Sequence, residues 1–296
     1  MPENGSPTLL RRQLGRFLRE RREACGLTIA LAAQAVQLSP AALQRLETGR
    51  PQKLRKQDVR ALCESYEVDP EEMEKAIDLA AQAAKDPEVT TLGGLFSNAF
   101  NMYVGMEQSA RNLVTYQEQI PGLLQTADYA RATFSAFPGY DSPDDIERRV
   151  DVRLRRQAMV TRKSNPLAIE VLLHQSALHR AVGGPQVMSP QLMYLAEVGK
   201  LPNVTLRVHP YSAGMTWGFL HGPFVILGFG TDRRGKQIEP PVVYVEGRVS
   251  SDLYVDKPEE VQRYYKLADA IRADALDETR TRDLLRQAAR EYERGR

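Results

Sequence analysis

Gln44 and Arg45 stand side by side in the string Ser39-Pro40-Ala41-Ala42-Leu43-Gln44-Arg45-Leu46-Glu47-Thr48-Gly49, and the next cations are Arg50, Lys53, Arg55 and Lys56. An amide and a guanidinium on one helix face offer paired hydrogen bonds, Gln to the edge of adenine and Arg to that of guanine, while small groups such as Pro40 and Ala41 suit a thymine methyl. Cations just after such a helix suit phosphate, which positions a protein on a duplex without reading its sequence. The chemistry on offer is recognition. The candidate contacts to double-stranded DNA are Thr28, Ser39, Pro40, Ala41, Gln44, Arg45, Arg50, Lys53 and Arg55. Each has a plainer use: Thr28 and Ser39 as helix caps, Arg45 in a salt bridge to a neighbouring acid such as Glu47 or to the first helix, the loop cations as solvated surface.

Other chemistries find no constellation. His174, His179, His209 and His221 lack metal-ligand spacing, and there is neither a glycine-rich phosphate loop nor a Gly-x-Ser-x-Gly elbow. Cys25 and Cys63 lie in apolar helical patterns without paired spacing, as core thiols of a reducing compartment do. The expectation is a chain that is not an enzyme and takes no cofactor and no metal. No apolar run reaches the roughly 18 residues of a membrane span, and Met1 to Leu10 has no leader pattern, so a cytoplasmic protein is expected.

The elements that must hold Gln44 and Arg45 are legible in the surrounding pattern. Leu10, Leu14, Phe17 and Leu18 recur at helical steps among Arg11, Arg12, Arg16, Arg19, Arg21 and Arg22. Gly26 ends that helix, Thr28 caps a second, and Ser39 with Pro40 opens a third, which Gly49 ends. A fourth helix spans Gln57 to Tyr66, and a fifth starts at Pro70 with Glu71 and Glu72 in its first turn. Charge is uneven: Met1 to Ser65 carries 12 Lys or Arg against 6 acids, the remainder 28 against 32. A basic front attracts polyanions by releasing counterions.

Two short helices with a capped second member form the arrangement that enters a major groove. The stretch Leu14-Gly15-Arg16-Phe17-Leu18-Arg19, Gly26-Leu27-Thr28 and the Ser39 to Gly49 string resembles the lambda-repressor-like (XRE-type) helix-turn-helix family over about Leu9 to Pro70. Two positions depart from it. Ile29 stands where the family usually has Gln, and Gln37 where the turn usually has Gly, which predicts a turn reshaped to avoid a left-handed Gln at a cost on the order of 1 kcal/mol.

Beyond Pro70 an Ala-rich acidic helix leads to a break at Pro87, Gly93 and Gly94. The domains expected are 1–70 for DNA binding, 71–94 as a helical linker and 95–296 for regulation, partner binding and dimerisation. In the last, helices are expected near Leu95–Gln108, after the cap Thr126, from Ser142 to Arg162, near Ser176–Ala181 and Pro190–Val198, and over Pro258–Ala275 and Glu278–Glu293. Strands are expected around Val114 and over Leu167–Leu173, Val204–Val208, Phe224–Phe229 and Val242–Val245. The fold class is mainly α: an N-terminal five-helix lambda-repressor-like DNA-binding domain followed by an α+β domain with a small sheet. Arg148, Arg149, Arg153, Arg155 and Arg156 are expected to pair with Asp144, Asp145, Glu147 and Asp151 along one helix.

This second part also has a family look. Ile120-Pro121-Gly122-Leu123-Leu124-Gln125-Thr126, Arg153-Leu154-x-Arg156-Gln157, Met188-x-x-Gln191-Leu192, Pro202-Asn203-Val204, Gly222-Pro223-Phe224 and Val243-Tyr244-Val245-Glu246 resemble the Scr1/WhiJ-like family of actinobacterial regulators. His174-Gln175-Ser176 departs from it, since the family generally has an acidic pair there. The resemblance implies an antitoxin-like transcription regulator whose C-terminal domain dimerises and binds a small BldB-like partner protein. Pure architecture remains the plainer use of the Pro121 to Tyr129 motif. A one-component regulator that senses a small molecule is the alternative, with Tyr211, Trp217, Phe219, Phe224 and Tyr244 as candidate lining or as core. A homodimer on a pseudo-palindrome is expected, its half-sites roughly 34 Å apart.

Overall fold

Small residues bring the N-terminal helices close, and large apolar ones seal them. In a computed structural model that describes residues 9–49, 53–83, 99–136, 142–214, 217–231, 235, 237–247 and 252–295, five helices come first. They are α1 (Leu9–Ala24), α2 (Ile29–Ala35), α3 (Pro40–Glu47), α4 (Lys56–Ser65) and α5 (Pro70–Ala83). Leu14 and Leu18 of α1, Ala32 and Ala33 of α2, Leu43 and Leu46 of α3, and Val59 and Leu62 of α4 form one buried core. Helix α5 adds Ala76, Ile77, Leu79 and Ala80 to it. Residues 70–83 therefore pack as part of the module, not as the linker expected over 71–94. A side chain at Gly15 would meet the carbonyl oxygens of Leu46 and Glu47 at 2.5 and 2.6 Å, so this glycine sets the distance of closest approach between α1 and α3.

The turn between α2 and α3 takes a left-handed residue despite its sequence. Gln37 takes φ +56, its N–H bonds the Gln34 carbonyl at 3.3 Å, and the Leu38 N–H reaches back to Ala33 at 2.9 Å. That is the left-handed helix end usually made by glycine. The expected reshaping does not occur; the conformational cost of Gln37 is borne instead. Gly26 after α1 and Glu67 after α4, at φ +67 and +52, close their helices with the same pair of bonds.

The remaining elements are α6 (Ala99–Ser109), β1 (Asn112–Gln117), α7 (Ala127–Ser135), α8 (Pro143–Thr161), β2 (Ala168–His174), α9 (Ser176–His179), α10 (Pro185–Val198), β3 (Val204–His209), α11 (Trp217–His221), β4 (Phe224–Gly228), β5 (Val242–Val245), β6 (Leu253–Val255), α12 (Pro258–Asp274) and α13 (Glu278–Glu293). The strands form a mixed sheet in the order β3-β2-β1-β4-β5-β6. β1, β2 and β3 run parallel, with α7 and α8 crossing from the first to the second and α9 and α10 from the second to the third. β4 lies antiparallel to β1, and β5 to β4. The class is thus the expected one, mainly helical with an α+β second part. Helix α10 begins at Pro185, not at the predicted Pro190, which sits inside it. Among the described residues no helix is long and apolar enough to cross a membrane.

By its contacts the chain divides into two compact units. The first comprises residues 1–106 with 231–240 and 247–257, the second 107–230, 241–246 and 258–296. Residues 237–240, which precede β5, pack in the first unit. They form a strap that the sequence does not announce.

Candidate nucleic-acid interface

Helix α3 is fixed at both ends by its own residues. Ser39 accepts the Ala42 N–H at 3.1 Å and Pro40 occupies the first helical turn, while Gly49 follows in a left-handed conformation. Thr28 caps α2 in the same way, accepting the Leu31 N–H at 3.3 Å. Both caps remain exposed, so their hydroxyl hydrogens can still face a ligand. Leu43 and Leu46 point into the core, which turns Pro40, Ala41 and Gln44 outward and leaves Arg45 half-exposed.

The charges of the module sort into two sets. Glu47, at 2% exposure, receives Arg22 Nε at 2.6 Å and Nη2 at 2.9 Å, and its backbone carbonyl receives Arg19 Nη2 at 2.8 Å. These hydrogen bonds hold the Arg22 pKa above its ordinary value. Arg22 also bonds the Leu27 carbonyl at 2.7 Å, tying the α1 to α2 corner to the end of α3. The Arg45 to Glu47 bridge offered as an alternative does not form, because Glu47 is already taken from α1. A second buried carboxylate, Glu239 of the strap, lies 3.0 Å from Arg16, 3.6 Å from Arg19 and 3.7 Å from Arg12, and Arg12 also bonds the Pro240 carbonyl. Burial outweighs this pairing at Arg16 and lowers its pKa.

Four arginines that gave the front its basic look are therefore structural. Arg21 pairs with Glu72 and Arg60 with Glu74. Arg45, Lys53, Arg55 and Lys56, by contrast, have no acidic partner among the described residues, and the last three are exposed. Arg50 lies outside the described residues. Gln44 and Arg45 thus lie on α3 and Lys53, Arg55 and Lys56 at the start of α4, with no acidic partner among the described residues. The sequence reading offered Glu47 to Arg45 and not to Arg22, and it missed Glu239, which is 223 positions from its partner Arg16. Cys25 was expected in the core and is exposed; Cys63 is buried, its thiol pushed up to about 11 by desolvation.

In the second unit the motif residues build architecture. Gln125 bonds the Ile120 carbonyl at 2.7 Å and accepts Arg153 at 2.6 Å; Gln157 reaches the carbonyls of Gly122 and Gln125; Gln191 accepts the Thr126 N–H at 2.6 Å and donates to Leu124 at 2.8 Å. One polar knot thereby ties the turn at Gly122–Leu124 to α8 and α10. Arg156 turns inward to Glu107 at 2.5 Å, so Arg153 and Arg156 are not part of the self-paired helix surface expected of them. Of the aromatic residues considered as pocket lining, Phe224 and Tyr244 are buried and Tyr211 is exposed, while the side chains of Trp217 and Phe219 lie outside the description.

A capped two-helix unit with a polar outward face defines a DNA-binding regulator of the helix-turn-helix class. Residues 13–76 match the family described as a helix-turn-helix domain. Residues 100–287 match the Domain of unknown function (DUF5753), which spans more than half of the chain, and the chain belongs to that family. No curated protein and no solved structure matches it.

Proposed function

We propose that the protein is a sequence-specific transcription regulator that binds duplex DNA as a homodimer, with α3 in the major groove and its C-terminal domain engaging a small BldB-like partner protein. The observation that carries the reading is the division of charge just described: α1 spends its arginines inside the fold, whereas Arg45, Lys53, Arg55 and Lys56 stay unpaired among the described residues beside Gln44. A folded module keeps cations together at a helix and loop when a polyanion supplies their counter-charge. Gln44 and Arg45 read bases; Thr28, Ser39, Arg50, Lys53 and Arg55 hold phosphates; Pro40 and Ala41 lie against the groove floor. Dimerisation and the partner protein rest on the Scr1/WhiJ-like resemblance of the second part and on the few base pairs one helix can read. On this reading the chain is cytoplasmic, is not an enzyme and takes no cofactor.

The test is a fluorescence-anisotropy titration of the full chain against DNA from upstream of its own gene and against random duplex, across a salt series. Gln44→Ala is expected to erase the preference between the two, while Lys53→Ala weakens both and lowers the salt slope by about one ion. A wild-type protein that is folded, supplied with its partner and indifferent to both duplexes at low salt would end the reading.

A further inference from the structure

Tyr116, His174, His209 and Phe224 share one face of the sheet, at the carboxyl ends of the three parallel strands. His174 and His209 are register partners and the last residues of β2 and β3; Tyr116 is the penultimate residue of β1 and pairs with Phe224 of β4. In open α/β sheets this edge is where ligands bind. The rings form a continuous aromatic wall: His174 stacks on His209 at 5.9 Å, Tyr116 meets His209 edge-on at 6.4 Å, and Phe224 lies between Tyr116 and Tyr264.

The polar atoms of this wall are left over. His209 is 1% exposed and Tyr116 fully buried, yet Nδ1 and Nε2 of the one and the hydroxyl of the other bond nothing among the described residues. His174 is accounted for, since its Nδ1 lies 2.8 Å from Ser176 Oγ and 3.3 Å from the Ser176 N–H. Leaving a buried donor or acceptor unmade is costly, and a phenylalanine at position 116 would fill the same space without the penalty. Two such residues in edge-on contact, at the edge of the sheet where ligands sit, are a built site and not a packing accident.

The surroundings restrict what fits. Burial holds both imidazoles below their ordinary pKa and pushes the Tyr116 phenol up to about 12, so all three rings are neutral near pH 7. An anion would face the carboxylates Glu118 and Asp274 that act on these rings, and a cation would lose its hydration against three neutral ones. A neutral imidazole and a phenol each give one donor and one acceptor. We propose that the free polar atoms of His209 and Tyr116 bind a small, neutral, flat molecule carrying both a donor and an acceptor, an amide or lactam, against this wall at the carboxyl ends of β1, β2 and β3. The approach is from a groove of about 800 Å³ lined by Arg207, on the same strand and face as His209, and by Pro210, Asp274 and Leu276. Asp274 acts on His209 through space, which places the groove next to the site. The turn Tyr211–Ala213 between groove and site is exposed, and its Tyr211 ring packs on His174 and His179. Its displacement opens the way. This inference goes beyond DNA recognition, concerns the second unit alone and is tested without DNA.

The experiment titrates the full chain with benzamide and uracil as neutral probes and with benzoate and benzylamine as charged ones of similar size. Binding is read by ligand-observed NMR and by the rise in melting temperature that any ligand of the native state produces. Benzamide or uracil is expected to bind saturably and the charged pair not, with affinity about tenfold weaker in His209→Phe or in Tyr116→Phe, as for one lost hydrogen bond. Tyr116→Phe without ligand should melt no lower than wild type. Neutral probes that bind neither protein, or bind both variants as well as wild type, overturn the proposal. So does a crystal in which an ordered water alone bridges His209 and Tyr116 while the probes stay outside.

Discussion

Replacing Glu47 by alanine removes the carboxylate that two hydrogen bonds, at 2.6 and 2.9 Å, tie to Arg22. The Arg22 side chain is 8% exposed and would keep the Leu27 carbonyl as its remaining strong partner, beside a Glu23 that is largely in solvent. Breaking a buried pair on one side costs about 3–5 kcal/mol, because the surviving charge stays desolvated and uncompensated. That is a large share of the roughly 5–15 kcal/mol that holds a natural domain together. For a helical module of this size, at about 4–8 °C per kcal/mol, the melting point should fall by more than about 12 °C. Scanning calorimetry of the full chain reads this as a low-temperature transition separating from the rest. The double variant Glu47→Leu with Arg22→Met removes both charges and should lie within about 1–2 kcal/mol of wild type, since apolar replacement of a whole buried pair is often neutral. If Glu47→Ala melts within about 4 °C of wild type, or if the double variant is worse than the single, the anchoring role assigned to Glu47 is wrong.

Three further outcomes follow from the geometry. Gln37→Gly should stabilise the chain by up to about 1 kcal/mol, seen as a higher urea midpoint, because glycine adopts φ +56 without a side-chain clash; an unchanged or lower midpoint would show that Gln37 bears no cost there. Gly15→Ala should cost about 1–3 kcal/mol or more, since the added methyl meets backbone oxygens that cannot rotate away, and a variant that melts with wild type would refute the close approach of α1 and α3. His174 and His209 should make stability fall with pH: below 6.5 the unfolded rings take up protons that the native rings, with depressed pKa, refuse. Their contribution is complete above 6.5 and shrinks by up to about 1.4 kcal/mol per pH unit per ring as the pH drops, so urea midpoints at about pH 7.5 and 5.5 should converge more closely in His209→Phe than in wild type.

What the sequence made legible is what short-range physics decides. Thr28, Ser39 and Pro40 act on residues three or four positions away, so the caps and the start of α3 were readable, as were the β-branched runs of β2, β3 and β4. Gln37 shows the limit of local reasoning: its preference against a left-handed conformation predicts a reshaped turn, yet it takes φ +56 in the packed module. The arginines of α1 misled for a different reason. A basic side chain looks the same in a sequence whether it faces phosphate or a buried carboxylate, and Glu239 lies more than two hundred residues from Arg16. The knot of Gln125, Gln157, Gln191 and Arg153 was visible only as a list of motif letters, since its bonds cross 28 to 67 positions. His209 and Tyr116 gave no signal at all, because an unmade hydrogen bond is a property of the packed fold.

The strap carries one more implication, for anyone who would take the regulator apart. A fragment that stops after α5 keeps Gln44 and Arg45 but leaves behind Glu239, the buried carboxylate that Arg12, Arg16 and Arg19 share. Such a piece should be frail or insoluble for reasons unrelated to the operator, and a chimera that borrows a foreign head must import the matching ribbon along with it. The boundary drawn along the chain is not the boundary along which the molecule can be cut.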